Sequence, residues 1–543
     1  MEAGHTAAEI NSFVSSGSWG KAALTDYVRR WRHVKPRSLA FAGDELRITW
    51  EEYDELSTQL AQRLVGLGLA RGDRMAVLFP DGPEVHVAWL AAEKAGLVSV
   101  GIGARAGERE IEHLMVTSGA VALLSGSFAH RSVEAVLERL RARGHPVVHV
   151  IMSALDPVRA WLPGSVDPSP VQLASDNAAG IEERRLGPSE LFMLNSTSGT
   201  TGMPKCVTHT QNRWYYFHQL AVEAGDLTEE DVFYSALPSP FGFGLWTAHC
   251  TPTFLGSTTH VRREFHADEV LAVLSEQQVT VLAAVSTQLI LLLKAAGSRR
   301  PDLGSLRVVF TGGEAVPYEQ AMAFEDLTGA SVLQFYGSNE TGALSRTKVS
   351  DDRARRLKTA GRIIEDMHVR LVEPGTGRPA TGSRGQPACR GPATSEGYYN
   401  DPEGNAALYT DDGWMLMGDV VELDGDGYLT VVGRTADIII RGGKNISAAV
   451  VETEVMTHDA VALAAAVAAP DPVFGERICV YVEPQPGRRV TLSDITSHLT
   501  ERGVGKEYLP EYLIILEALP RSSGGKVAKA QLREDIQRRV ASL

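Results

Sequence analysis

Ten consecutive residues, Ser196-Thr197-Ser198-Gly199-Thr200-Thr201-Gly202-Met203-Pro204-Lys205, follow the apolar run at 191–194. Small hydroxyl residues and glycines let several backbone N–H groups and side-chain hydroxyls turn toward one anion, and Lys205 adds a positive charge. The segment therefore reads as a phosphate cradle. The GxxxxGK[ST] spacing of the Walker loop is absent, so the cradle is of another kind. A plain Ser/Thr/Gly surface loop is what such composition alone would mean.

The elements around the cradle must hold it still. Tyr53, Leu56, Leu60, Leu64 and Leu67 form one helical stripe, closed by Gly68 and Gly72, as an amphipathic helix requires. The apolar run 74–80, a helical stretch 83–96 and a second apolar run 97–102 follow, which is a βαβ unit with a buried parallel sheet. The theme recurs at 121–127, 146–152 and 306–313, and the recurrence predicts a large α/β architecture. Residues 153–190 are rich in Pro, Gly, Ser and Asp without sustained period and read as a connecting loop. After Gly433 short strands and helices alternate, which puts a domain boundary at 434–436.

The 543 residues are 44% hydrophobic and 22% charged, a globular composition. Lys and Arg number 53 against 67 Asp and Glu, a formal charge of −14, the wrong sign for nucleic acid or an anionic membrane surface. The cysteines at 206, 250, 389 and 479 are widely spaced and lack zinc-ligand spacing, which fits a reduced, cytoplasmic chain. The N-terminus lacks the basic-then-apolar pattern of a secretory signal. The apolar stretch 279–293 is interrupted by polar residues and too short to span a bilayer, so it reads as core.

Further strings stand in order along the chain: ITWEEYDELSTQLAQRLVGLGLARGDRMAVLFPDGPE, Thr311-Gly312-Gly313-Glu314, Phe335-Tyr336-Gly337-Ser338-Asn339-Glu340, Asp412-Gly413-Trp414, Gly418-Asp419, GRTADIIIRGGKNIS from Gly433, and Pro520-Arg521-Ser522-Ser523-Gly524-Gly525-Lys526. Together with the cradle they resemble the adenylate-forming superfamily of acyl- and aryl-CoA synthetases, stand-alone aryl-acid adenylating enzymes, adenylation domains and luciferases. The resemblance covers nearly the whole chain. It implies a large multi-sheet α/β N-terminal adenylation domain at 1–433, a hinge at 434–436, and a small mobile α+β C-terminal domain at 437–543 that carries the catalytic lysine.

The resemblance also implies roles. ATP would lie on the cradle residues Thr197, Ser198, Gly199, Thr200, Thr201, Gly202 and Lys205, and against Gly312, Gly313, Glu314, Phe335, Tyr336, Gly337 and Asn339. Tyr336 would stack on adenine, Asp419 would accept from the ribose hydroxyls, and Arg434 would approach ribose and phosphate. Glu340 would hold Mg²⁺, a task suited to carboxylate oxygen, and Lys526 would neutralise charge during attack at the α-phosphorus. Lys205, Glu340 and Lys526 are thus the catalytic candidates. A rotation of the small domain would then bring Gly442 and Gly443 to a tunnel for the thiol.

The implied reaction is activation of a carboxylic acid as acyl-AMP with release of pyrophosphate, then a thioester with CoA, by a monomer or homodimer. A separate carrier protein's phosphopantetheine is the alternative acceptor, and amide formation or nitrite-dependent diazotisation are others. Tyr215, Phe241, Gly242, Phe243, Gly313 and Gly337 would line the acid's pocket, and their aromatic share favours an aromatic or bulky apolar acid. Several residues depart from the family pattern. Phe241 replaces a gating histidine, and Gly242 replaces the asparagine that holds the ring hydroxyl in hydroxybenzoate enzymes. Asn339 and Met417 replace threonines, Cys206 a glycine and Gln211 a histidine. Ala436 stands at the usual charged pivot. Against Gly242, the stretch LTERGVGKEYLPEYLIILEALPRSSGGKVAKAQLRE resembles the aryl-acid branch.

Overall fold

A computed structural model describes residues 4–126, 130–145, 147–152, 159–161, 169–170, 178–196, 203–299, 301–313, 316–374, 377–434, 437–441, 444–471, 475–502, 504–521 and 527–541. By contacts the chain divides into two units, one drawing on residues 1–197, 203–368 and 389–415, the other on 369–388 and 416–543.

The larger unit contains two sheets. In the first, strands Leu191–Ser196, Val98–Ile102, Arg74–Leu78, Ala122–Gly126 and Val148–Met152 lie side by side, all parallel, and Cys206–Thr210 adds an antiparallel edge. The βαβ unit is present as expected: Arg74–Leu78 and Val98–Ile102 pair in parallel around helix Pro83–Ala95, which Gly96 ends at φ 74°. The stripe helix is Trp50–Gly66, and its Thr49 cap and Glu52 form a reciprocal capping box, which satisfies two of the open N–H groups of the first turn.

The second sheet orders Ser331–Ser338, Val308–Gly312, Val281–Ala283, Val232–Ser235 and Thr258–His260 in parallel, with Gly342–Arg346 antiparallel at one side. Residues 279–293 supply the strand Val281–Ala283 and part of the helix Ser286–Arg299, and Val279, Leu282, Leu289 and Leu292 are core. Between the sheets, Phe41 stacks on His86 at 4.2 Å, and His86 Nδ1 meets His249 Nδ1 at 3.1 Å.

One expectation is corrected. Residues 153–190 are not loop throughout: they hold short strands Arg159–Trp161 and Ser169–Pro170 and a helix Ala178–Arg184. Elements of two to seven residues are too short to display a period.

In the smaller unit, strands Lys444–Ser447, Ile438–Arg441, Gly475–Pro484 and Val461–Asp471 form a sheet to which Tyr512–Ile515 adds in parallel. Helices Ala448–Val455 and Leu492–Glu501 cover one core, and Lys529–Ala541 covers another built on Cys479, Tyr481, Leu532 and Ile536. No described helix is long and apolar enough to cross a membrane.

Candidate active site

The site segments of the larger unit follow the carboxyl ends of parallel strands, where α/β sheets place their ligands. Strand Val308–Gly312 delivers Gly312 and Gly313. A Cβ on Gly312 would overlap the Phe335 carbonyl oxygen, and Gly313 has φ 77°, so neither position accepts a side chain without strain. Strand Ser331–Ser338 delivers half-buried Tyr336 and then Gly337, whose Cβ would overlap the Gly342 carbonyl. The turn after it is tied by Thr341 Oγ1, which accepts from Ser338 N–H at 3.0 Å. The result is a surface of bare backbone beside one tyrosine ring, suited to a flat base.

Strands Leu191–Ser196 and Cys206–Thr210 pair as a hairpin with Ser196 opposite Cys206. Their connection, with Thr197, Ser198, Gly199, Thr200, Thr201 and Gly202, lies outside the described residues. So do Glu314, Gly442, Gly443, Lys526 and the side chain of Arg434. Just past the hairpin mouth, Lys205 Nζ is 3.5 Å from Asp401 and 4.5 Å above the Tyr398 ring, and the Tyr398 hydroxyl donates to Glu340 Oε1 at 2.7 Å. Burial, then the Glu340 carboxylate, push the Tyr398 hydroxyl far above its usual range, so it remains a donor. A cation, a ring and a carboxylate are thereby aligned, and Glu340 Oε2 is a hard oxygen donor of the kind Mg²⁺ takes. Tyr398 was not visible as a site residue in the sequence.

A second layer was also missed. The buried Arg213, in the first turn of helix Gln211–Gly225, donates to the carbonyls of Asn339 (2.6 Å), Glu340 (3.3 Å) and Ala393, and to His209 Nδ1 at 2.7 Å. Burial lowers its guanidinium to about 9, which leaves it charged at neutral pH. His209 Nε2 meets Asn195 Oδ1 at 2.7 Å, and Asn195 and Asn339 pair amide to amide at 2.5 and 3.3 Å. This network fixes the backbone that carries Glu340. An arginine inside the aromatic run NRWYYFHQL was the available signal, since an isolated buried charge must be fully hydrogen-bonded.

The segment after strand Val232–Ser235 forms a recess. Phe241 lies over Gly103, where a Cβ would sit 3.2 Å from its ring, and Pro240 lies equally close to Gly101. A Cβ on Gly242 would overlap Asn339 Oδ1 and stand 3.6 Å from Trp214 Cη2. Phe243 stacks on Trp246 at 5.3 Å, with Phe335 behind at 4.7 Å. Trp214, rather than Tyr215, reaches Gly242; Tyr215 instead packs on Gly20, Tyr27 and Phe254. Successive helical residues point about 100° apart, so only one of the two can face the recess. A π-helical turn, Leu245–Cys250, continues from Gly242–Gly244, a distortion that often accompanies functional sites. Beside the recess Asp81 accepts from Ser239 N–H at 2.7 Å, and burial raises its carboxyl to about 6.

In the smaller unit Asp419 and Arg434 stand directly opposite on paired strands. Met417 is buried, its N–H donating to Pro387 O at 2.9 Å and its carbonyl accepting from Gln386 at 2.6 Å. Asp437 is tied to Lys529 at 3.3 Å and to Arg533. Arg521 and Val527 bridge across 522–526.

The sequence model of the AMP-binding enzyme matches residues 28–399, and that of the AMP-binding enzyme C-terminal domain matches 450–526. The chain belongs to the AMP-binding enzyme family. A salicylyl-CoA synthase / salicylate adenylyltransferase from a Streptomyces species is 31% identical over 97% of this chain and 96% of its own. A medium-chain fatty-acid–CoA ligase from Escherichia coli (strain K12) is 28% identical over 97% and 93%. Among solved structures, the amide bond synthetase McbA from Marinactinospora thermotolerans superposes with a TM-score of 0.80 at 25% identity, covering 95% of this chain and 100% of that one. As a member of this family the chain is an adenylate-forming enzyme, with the mixed α/β large domain and small C-terminal domain of its relatives.

Proposed function

We propose that this protein is an ATP- and Mg²⁺-dependent ligase that activates an aromatic or bulky apolar carboxylic acid as acyl-AMP and then forms its thioester with CoA. The observation that carries the reading is the alignment of Lys205, Tyr398 and Glu340 beside the bare backbone of Gly312, Gly313 and Gly337. Tyr336 stacks on adenine there, and Lys205 with the 197–202 loop holds phosphate. Glu340 would hold Mg²⁺, which would supply positive charge against the phosphates. The acid sits in the recess of Phe241, Gly242, Phe243 and Trp214, where flat rings bury well against flat rings. Asp419 and Arg434 take the ribose, and Lys526 supplies charge to the attacking carboxylate.

The likeness to a salicylate enzyme along the whole chain supports an aryl acid. The hinge is 434–436, because Asp437 is already fastened to the C-terminal helix by Lys529 and Arg533, and turning about it brings Gly442 and Gly443 to the thiol. The protein works in the cytoplasm as a monomer or homodimer. An acceptor other than CoA, a carrier protein's phosphopantetheine or an amine, is the second reading, favoured by the end-to-end fold likeness to an amide bond synthetase. Mass spectrometry of reactions with ATP, Mg²⁺, CoA and a panel of aryl and aliphatic acids tests both. Aryl-CoA and AMP are expected; AMP or acyl-adenylate without thioester moves the assignment to the second reading, and good turnover of fatty acids alone refutes the aromatic one.

A further inference from the structure

The recess contains one polar side chain whose direction is dictated from behind. Arg213 can only donate, so the His209 Nδ1 that it meets at 2.7 Å accepts and the ring proton sits on Nε2. That Nε2–H donates to Asn195 at 2.7 Å, which makes the atom there Oδ1. Asn195 Oδ1 also takes the Asn339 Nδ2–H at 2.5 Å, and Asn195 Nδ2 donates in return to Asn339 Oδ1 at 3.3 Å. A charged, buried donor therefore fixes every amide along the chain. Asn339 cannot flip without opposing two donors and two acceptors.

The consequence lies at Gly242. A Cβ at 242 would overlap Asn339 Oδ1, so glycine here is what leaves that acceptor oxygen its place in the wall. Among the described residues the ring that stands beside Gly242 with Asn339 is Trp214, whose Nε1 is itself buried and unpaired. Among the described residues Oδ1 accepts one long bond, from Asn195, and a carbonyl oxygen has room for two. Asn339 and Gly242 are both half-buried.

We infer that Asn339 Oδ1 is the specificity-determining acceptor of the recess, and that the acid it selects carries a hydrogen-bond donor, a hydroxyl or amino group, on its ring. The inference rests on the ligase reading above and names its substrate class. A site built around such a contact rejects the analogue lacking the donor far more strongly than an apolar pocket rejects a size change.

The test is pyrophosphate exchange, which reads adenylate formation whatever the final acceptor. Hydroxy- and aminobenzoates are compared with their fluoro and methyl counterparts at each ring position. At one position the donor-bearing acid is expected to exceed both counterparts in kcat/KM by at least about tenfold. In Asn339→Leu, equal in bulk and without the acceptor, that ratio is expected to fall to about twofold or less. Donor and non-donor acids within about twofold at every position in the wild type, or an unchanged ratio in Asn339→Leu, overturn the inference while leaving the ligase reading intact. The wild-type comparison stands by itself if the variant fails to fold. Exchange with fatty acids but with no aryl acid refutes the aromatic reading and the inference together.

Discussion

A single methyl group at residue 242 probes the recess most sharply. In Gly242→Ala the new Cβ overlaps Asn339 Oδ1, and Asn339 must turn away. Turning breaks both amide bonds to Asn195, at 2.5 and 3.3 Å, each worth about 1 kcal/mol net. The loss is about 2 kcal/mol, or roughly 30-fold in kcat/KM for adenylation. Asn339→Ala makes room for the methyl, so in that background Gly242→Ala should cost almost nothing and the cycle should show a coupling of about 2 kcal/mol. Pyrophosphate exchange with the preferred acid reads all four proteins. If the two losses multiply independently, the methyl meets something other than Asn339, and the geometry argued for this wall is wrong.

Three further outcomes follow from other contacts. Arg213→Met orphans the carbonyls of 339 and 393 and the His209 nitrogen, while the Glu340 carbonyl keeps the Ser395 N–H; at about 1–3 kcal/mol per buried orphan, the thermal midpoint should drop sharply with adenylation activity, and retention of both would refute the clamp. Tyr398→Phe removes the donor that holds Glu340, so the Mg²⁺ concentration for half-maximal exchange should rise several-fold in a metal titration. Burial raises the Glu93 carboxyl to about 7, and its Oε2 has no partner among the described residues. The folded state therefore holds that proton more tightly than the unfolded one, and its contribution to stability, full below about pH 4.5, is lost as pH rises through 7. Midpoints measured from pH 5 to 8 should fall less in Glu93→Gln than in the wild type; equal slopes would refute the assignment.

The sequence made legible what rests on period and on contiguous strings. The stripe 53–67 and the runs 74–80 and 97–102 became the helix Trp50–Gly66 and the paired strands of the βαβ unit because burial on a repeating face leaves a repeating pattern. Gly312, Gly313 and Gly337 were legible because close backbone approach admits only glycine. Tyr398, 58 residues beyond Glu340, was not. Arg213 and Asn195 were hidden in the same way, since their partners lie 126 and 144 residues away. A long-range hydrogen bond imposes no spacing that one chain can display. Tyr215 and Trp214 differ only in which side of a largely buried helix each occupies, and an aromatic run does not say which.

The departures from the family pattern separate by what surrounds them. Cys206 is buried core, its thiol pushed up to about 12 by burial. Gln211 turns its Oε1 to the Leu24 N–H at 2.6 Å and so serves a helix start. The backbone of Met417 donates to the Pro387 carbonyl and accepts from the Gln386 side-chain amide. Packing absorbs these three. Phe241 and Asn339 line the recess, one as a ring over Gly103 and the other as an oxygen over Gly242. Gly242 is then the complement of Asn339, because the two cannot both carry side-chain atoms in that space. A change at one demands a change at the other, so selection on the acid would act on the pair and not on either residue alone.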